Sequence, residues 1–177
     1  GMAYKMKTWR LPLGGRTAKG KAIVNILPIP TGVSVAAIMP VDRDEAEWGD
    51  LQIVFATTQG DVRRNRLSDF TNVRSNGKIA MKLPEGVELV NARICSEDDD
   101  VMLTTNSGRA IRFASTDLRV MNSRASTGVR GIRLTGDDMV VPMSVIRHFE
   151  ATPEERAAYL KMRRALAGVT DEEAGED

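Results

Sequence analysis

The sequence predicts an all-β fold of propeller-like blades, each built from four short antiparallel strands, with one short helix at the C-terminal end. Three observations lead there: an internal repeat with a period near 50 residues, short β-branched runs punctuated by Gly turns, and a single helical pattern confined to residues beyond 150.

The repeat comes first. Residues 53–64 align with residues 100–112: each is an apolar run, a Thr-Thr or Thr-Thr-Asn segment, a Gly turn and an apolar-basic run. Downstream, residues 74–79 align with residues 124–129, with one gap. A turn follows each, at Pro84-Glu85-Gly86 and at Thr135-Gly136-Asp137, and then a further β-run, residues 88–94 and 139–145. A third copy lies at the N-terminus and begins late. Its second strand is Ala3-Tyr4-Lys5-Met6, its basic loop is Arg16-Thr17-Ala18-Lys19-Gly20-Lys21, and its last two strands fall at residues 22–27 and 33–39. Gly20, Gly77 and Gly128 are then equivalent, and the repeats sit near residues 3–43, 51–95 and 100–147 of a body spanning 3–149.

Each element has a local reason. Residues 52–57 and 101–105 are short, β-branched and bounded by polar turns, as strands are. Gln59-Gly60 and Ser107-Gly108 supply the residue that tolerates positive φ in a tight hairpin. Asn76-Gly77 is a further turn signal. The pattern changes at Glu150. Thr152-Pro153-Glu154-Glu155 reads as a capping box with Pro at the first helical position, and Tyr159, Met162 and Leu166 mark one apolar stripe. Gly168 suits the helix end, so the helical segment is placed at 150–168 and residues 169–177 form an acidic tail expected to be disordered.

Composition bounds the function. The chain has 177 residues, 42% hydrophobic, long enough to bury a core without staples. No apolar run approaches the roughly 20 residues that span a bilayer, and no leader-like stretch opens the chain. A lone Cys95 excludes a disulfide framework and fits a reducing compartment; a lone His148 excludes a multi-His metal site. The net charge of +1 hides segregation. Residues 44–50, 95–100 and 150–177 each carry −4, while the stretches 1–43, 51–94 and 101–149 carry +6, +3 and +4. With the acid confined to connections, the rest can present a positive surface to a polyanion.

The same residues resemble a family. Arg16-Thr17-Ala18-Lys19-Gly20-Lys21-Ala22-Ile23-Val24-Asn25, Phe55-Ala56-Thr57-Thr58-Gln59-Gly60, Leu67-Ser68-Asp69-Phe70 and Gly128-Val129-Arg130-Gly131-Ile132-Arg133-Leu134 are similar to the C-terminal domain of the DNA gyrase A subunit, over about residues 3–147. The resemblance implies a β-pinwheel that wraps double-stranded DNA around a basic rim, as a non-catalytic module of a type II topoisomerase. It implies the remainder of the gyrase A subunit, together with the gyrase B subunit, as partners, no cofactor, and a bacterial cytoplasm close to the nucleoid. Two full blades and part of a third make the disc incomplete, and the family's Gln-Arg-Arg-Gly-Gly-Lys-Gly box is absent. The alternatives are the related domain of topoisomerase IV and a propeller-type protein-interaction module.

The residues expected to meet phosphates are Arg16, Lys19, Lys21, Arg74, Lys78, Arg124, Arg130 and Arg133, helped by Arg63, Arg64, Arg109 and Arg112, because they recur around the equivalent glycines. Other motifs carry less. Gly15-Arg16-Thr17-Ala18-Lys19-Gly20-Lys21 matches a phosphate-binding loop in form, but Ala22 stands where a Ser or Thr would hold Mg²⁺, and a strand is expected to follow in place of a helix. Cys95 has no activating neighbour in sequence, and Asp98-Asp99-Asp100 lacks calcium-loop spacing and reads as a solvated hairpin. Trp9 is expected between blades, Trp48 as a cap on an acidic loop, and Phe70 and Phe113 in the core. An open disc leaves unpaired strand edges, so self-association is expected.

Overall fold

A computed structural model describes residues 1–41, 44–122 and 126–167. It divides into two compact units, Gly1–Arg147 and His148–Asp177. Among the described residues of the first, nine strands follow in order: β1 (Met2–Ala3), β2 (Gln52–Thr57), β3 (Asp61–Arg66), β4 (Lys78–Ile79), β5 (Leu89–Cys95), β6 (Asp99–Thr105), β7 (Ala110–Ala114), β8 (Val129–Arg130) and β9 (Val140–Arg147). They form three antiparallel sheets, β1-β4, β5-β2-β3-β8 and β7-β6-β9. The all-β reading of the body holds.

The two full repeats are built by the same local chemistry. In the β2–β3 hairpin the Gly60 N–H donates to the Thr57 carbonyl at 2.9 Å, and the Asp61 N–H donates to Thr57 Oγ1 at 3.1 Å. The β6–β7 hairpin repeats both bonds, from Gly108 to Thr105 at 3.1 Å and from Arg109 to Thr105 Oγ1 at 3.3 Å. This is why a Thr recurs three residues before each turn glycine, as Thr57 and Thr105: its hydroxyl satisfies an amide that the tight turn would otherwise strand.

The middle sheet is covered on both faces, so β2 is buried along its whole length. Val54 and Ala56 pack with Val62, Val101, Leu103, Ile132 and Met143 towards the third sheet. Ile53 and Phe55 pack with Trp48, Leu67, Phe70, Met81 and Ala92 on the other side. A continuous apolar run is what a strand with two dry faces requires. Phe70 is thus core, and Phe113 packs at the core margin. Trp48, expected only to cap its loop, is buried in this second core with the Lys5 ammonium 5.0 Å from its ring centroid.

Strands are exchanged between repeats. β8 belongs by sequence to the third repeat, yet it pairs with β3 of the second, Asp61 opposite Arg130 and Val62 opposite Val129. β4 belongs to the second and pairs with β1 of the first, Met2 opposite Ile79 and Ala3 opposite Lys78. The residue that turns into each exchanged strand is the recurring glycine, with φ of +85° at Gly77 and +98° at Gly128. Gly20 has the same left-handed conformation, φ +69°.

The first copy departs from expectation. Residues 22–27 and 33–39 do not form strands: Ile23–Asn25 is a short 3₁₀ turn and 33–39 is irregular. Their β-branched composition is real, but a strand needs a partner. The counterpart of residues 33–39 is β5, which pairs with β2, and the first copy has no counterpart of β2 among the described residues. Residues 4–6 likewise extend beyond β1 without pairing. Trp9, expected between blades, is 79% exposed, with the Arg10 guanidinium carbon 5.6 Å from its ring centroid.

The second unit holds α1 (Pro153–Ala167). Its capping box forms as expected: Thr152 Oγ1 accepts from the Glu155 N–H at 3.2 Å, and Glu155 Oε2 accepts from the Thr152 N–H at 2.8 Å. Gly168 and the acidic tail lie outside the described residues. No helix among the described residues is long and apolar enough to cross a membrane.

Candidate nucleic-acid interface

Charge is sorted along the strand axis. Glu45 and Glu47 lie in a 3₁₀ turn just before β2, and Glu97, Asp98 and Asp99 sit at the entry to β6. Both acidic connections therefore join the ends of β2 and β6 opposite the two hairpins. β8, with Arg130, pairs at the hairpin end of β3. The acidic connections and the exchanged basic strand of the middle sheet are held apart by the length of β2 and β3.

The predicted cations divide into three groups. Arg16, Lys19 and Lys21 are exposed on a loop whose turn is closed by the Ala18 N–H donating to the Gly15 carbonyl at 2.9 Å. Arg74 is exposed on the equivalent turn, where the Gly77 N–H donates to the Arg74 carbonyl at 2.9 Å. Arg130 and Arg133 are exposed on and after β8. Arg74, Arg130 and Arg133 thus lie on or beside the exchanged strands, while Arg16, Lys19 and Lys21 lie on the loop of the first copy, which forms no exchanged strand among the described residues.

A second group, half-buried at Lys78 and exposed at Arg109 and Arg112, is engaged. Lys78 Nζ donates to the Asp69 carbonyl at 2.6 Å and to the Asn72 carbonyl at 3.3 Å, which staples its own loop. Arg112 lies 3.3 Å from Asp100, a carboxylate that is itself buried. Asp100 therefore departs from the solvated-hairpin expectation; its neighbour Asp99 accepts from the Ser96 N–H and hydroxyl, closing the turn. Arg109 borders a shallow hollow shared with Ser107, Asp137 and Asp138. Slight burial favours the neutral acid at Asp138, but hydrogen bonds from Ser107 outweigh it and hold the carboxyl below its ordinary range. Arg109 thus faces anions of its own chain, a weaker phosphate ligand than its exposure suggests.

Arg63 and Arg64 are the corrections. Arg63 is fully buried: its Nε donates to Asn65 Oδ1 at 2.7 Å, and its Nη1 to the Ser126 carbonyl at 2.7 Å and Ser126 Oγ at 2.9 Å. Arg64 is buried too, with Nη1 3.4 Å from Gln52 Oε1. Its backbone carbonyl accepts from the Met121 N–H at 2.8 Å. Arg64 and Arg112 hold equivalent places, each reaching diagonally to the first strand of its sheet, to Gln52 and to Asp100. Both buried arginines act within the fold and cannot reach a phosphate outside it. Arg124 lies outside the described residues.

Sequence reasoning missed Arg119 and Lys82. Both are exposed. Arg119 precedes Val120, which bridges to Arg64 on β3, and the Lys82 amide donates to the Ser126 carbonyl at 3.3 Å. Each therefore flanks a crossing between repeats. The repeat alignment gave no sign of them, because the register that places them is set by contacts more than 40 residues away in sequence.

Neither Cys95 nor His148 is poised for nucleophilic chemistry. Cys95 is buried, and burial pushes its thiol up to about 11, with nearby Arg64 opposing and Asp99 adding to the shift. His148 sits exposed beside Glu150 at 3.4 Å. Among the described residues no group of three His, Cys, Asp or Glu could hold a metal. The phosphate-loop look-alike is an exposed turn followed by three residues of 3₁₀ helix, too short to offer a helix terminus, and Ala22 still supplies no hydroxyl. The state of Cys95 is directly testable. At pH 8 the folded protein should react with a soluble thiol reagent far more slowly than the urea-unfolded chain. Because the folded thiol holds its proton above the ordinary value of 9.0, stability should fall as pH rises from about 9 to about 11, and Cys95→Ala should remove that component of the slope.

A family model described as the DNA gyrase C-terminal domain, beta-propeller, matches residues 1–42, 52–96 and 99–147. The chain is 52% identical over 178 residues to the DNA gyrase A subunit of Granulibacter bethesdensis, covering 97% of this chain and 19% of that protein. It is 45% identical over 162 residues to the DNA gyrase A subunit of Rickettsia bellii, covering 92% of this chain and 18% of that protein. The chain thus spans about a fifth of the length of these relatives. Among solved structures, a DNA gyrase A C-terminal domain superposes with a TM-score of 0.66 at 23% identity, covering 82% of this chain and 44% of the other. A DNA topoisomerase IV C-terminal domain gives 0.65 at 22%, covering 73% and 39%. At these identities the likeness of the two structures is one of fold.

Proposed function

The chain belongs to the DNA gyrase C-terminal domain family of β-propellers, and we propose that it is a non-catalytic module that holds duplex DNA against the outer edges of its blades. The observation that carries this reading is the exposure of Arg16, Lys19, Lys21, Arg74, Arg130 and Arg133 around the recurring glycines Gly20, Gly77 and Gly128, the last two of which lead into exchanged strands. Equivalent loops repeat from blade to blade, as phosphates repeat along a duplex. Contacts of this kind bind through charge and DNA deformability and read no base edge. Within a longer polypeptide such a module serves the rest of the gyrase A subunit, and with it the gyrase B subunit, on DNA in the bacterial cytoplasm at the nucleoid, with no cofactor of its own.

The test is a binding titration with linear duplex DNA at several salt concentrations. Log affinity should fall with log salt at close to 0.9 per phosphate neutralised. Replacing Lys19 and Lys21 together with Ala should weaken binding alike for unrelated sequences and flatten the slope by roughly one to two. Unchanged affinity and slope in the double variant would remove these loops from the interface.

A further inference from the structure

We infer that α1 is a second duplex-binding element, the face formed by Arg156, Lys161, Arg163 and Arg164 lying along DNA phosphates. The inference rests on the reading of the chain as a duplex-binding module and extends it to a helix that belongs to no blade repeat.

Helix geometry gathers the four cations on one side. At 3.6 residues per turn they fall within about 160° of the circumference, and the apolar stripe of Tyr159, Met162 and Leu166 is centred roughly 140° away. All seven side chains are exposed. The stability of the helix does not explain this arrangement. Arg163 and Arg164 complement the negative end of the helix, but Arg156 closes the first turn, where the positive end disfavours it. No carboxylate stands three or four residues from any of the four, the spacing at which a helical ion pair forms. Lys161 and Arg164 stand three apart as like charges, which costs the helix stability. Glu155 is committed to the capping box. Among the described residues none of the four cations is in an ion pair, so the whole face is available to an outside anion.

The chemistry of the face selects a duplex over a protein. Charge is depleted at the centre of protein interfaces, which are met through apolar surface. This face offers one large apolar side chain, Leu160, among four charges. A duplex offers the opposite, a lattice with one negative charge per roughly 1.7 Å of axis. Spacing agrees. Arg156 and Arg163 are one heptad apart, nearly in line and about 10 Å from each other along the axis. That is close to the roughly 12 Å width of a major groove. A helix lying across the groove therefore brings the two arginines to phosphates of opposite strands, with Lys161 and Arg164 broadening the contact. Residues 148–152 are the whole connection between β9 and α1. A duplex held by the body is thus at high effective concentration for the helix, and a contact too weak to form alone adds to the whole.

The test uses the 177-residue chain and linear duplex DNA. Arg156→Gln, Lys161→Gln, Arg163→Gln and Arg164→Gln in one variant keep good helix formers throughout, so its circular dichroism spectrum should be unchanged. This variant should bind at least about tenfold more weakly, with the log–log salt slope flattened by about 2 to 3. Lost charge alone accounts for part of such a change, so contact is read separately. A photoreactive side chain in place of Leu160, among the cations, should cross-link to the duplex, and the same group in place of Met162, on the apolar stripe, should not. Vesicles containing phosphatidylserine supply a competing anionic surface. An unchanged salt slope, cross-linking from position 160 no greater than from 162, or loss of vesicle binding with DNA binding intact overturns the proposal. The variant with Lys19→Ala and Lys21→Ala keeps the two readings apart. If it flattens the slope and the four-Gln variant does not, the body binds DNA and α1 does not; if neither changes binding, the function proposed for the body falls as well.

Discussion

Replacing Gly128 with Val is expected to destabilise the body by roughly 3–5 kcal/mol, among the largest effects of any single change in this chain. Two independent terms add. The backbone at Gly128 sits at φ +98°, where a β-branched residue is strained by about 1–2 kcal/mol. A Cβ there would also lie 2.4 Å from the Val62 carbonyl oxygen and 3.3 Å from Arg63 Cβ. The obstacle is backbone in the middle of a paired strand, so relief requires β8 to lift off β3. Gly86 separates the terms: it too has positive φ, +74°, but a Cβ there meets nothing within 4 Å. Gly86→Ala should cost only about 1 kcal/mol. Urea unfolding of the two variants decides the matter; equal losses would mean that the elbow is not wedged against its neighbour.

That glycine also marks where sequence was readable and where it was not. The hairpins were legible because their chemistry is local: Thr57 and Thr105 bond to residues three and four places away. The capping box of α1 was legible for the same reason. The equivalence of Gly20, Gly77 and Gly128 was legible as a repeat, and all three share positive φ. What Gly77 and Gly128 touch was not, since their contacts come from another repeat. The failed strands at 22–27 and 33–39 teach the same lesson from the other side. Composition supplies the propensity, but pairing decides, and the pairing partner is non-local. At the candidate interface, Arg16, Lys19, Lys21, Arg74, Arg130 and Arg133 stood out as basic residues near glycine turns and are exposed. Arg63 stood out by the same criterion and is buried. Alternation along β3 could not show this, because β3 is covered on both faces and its Arg63 and Asn65 side chains are satisfied by Ser126 and Met121.

Arg63→Ala is therefore expected to act on stability and not on the salt dependence of DNA binding. The Arg63 guanidinium, wholly inside the body, ties Asn65 on its own strand to Ser126 in the next repeat, 63 residues away. Asn65 Nδ2 in turn donates to the Met121 carbonyl at 2.5 Å. Truncation removes three charge-assisted donor contacts, leaves a cavity the size of the side chain, and strips Asn65 Oδ1 of the donor that orients its amide. Breaking a buried charged network from one side costs about 3–5 kcal/mol. For a body of this size that lowers Tm by roughly 10 °C. Arg63→Met keeps much of the volume and loses the donors, so a loss smaller than that of Ala but above about 1 kcal/mol would assign the remainder to the hydrogen bonds. Arg16→Ala, on an exposed loop, should change stability by no more than about 0.5 kcal/mol. In binding, measured well below the variant's Tm, the pattern should reverse: Arg16→Ala flattens the salt slope and Arg63→Ala leaves it unchanged. A thermally normal Arg63→Ala protein with a reduced salt slope would return Arg63 to the interface and show that its crossing to Ser126 opens in solution.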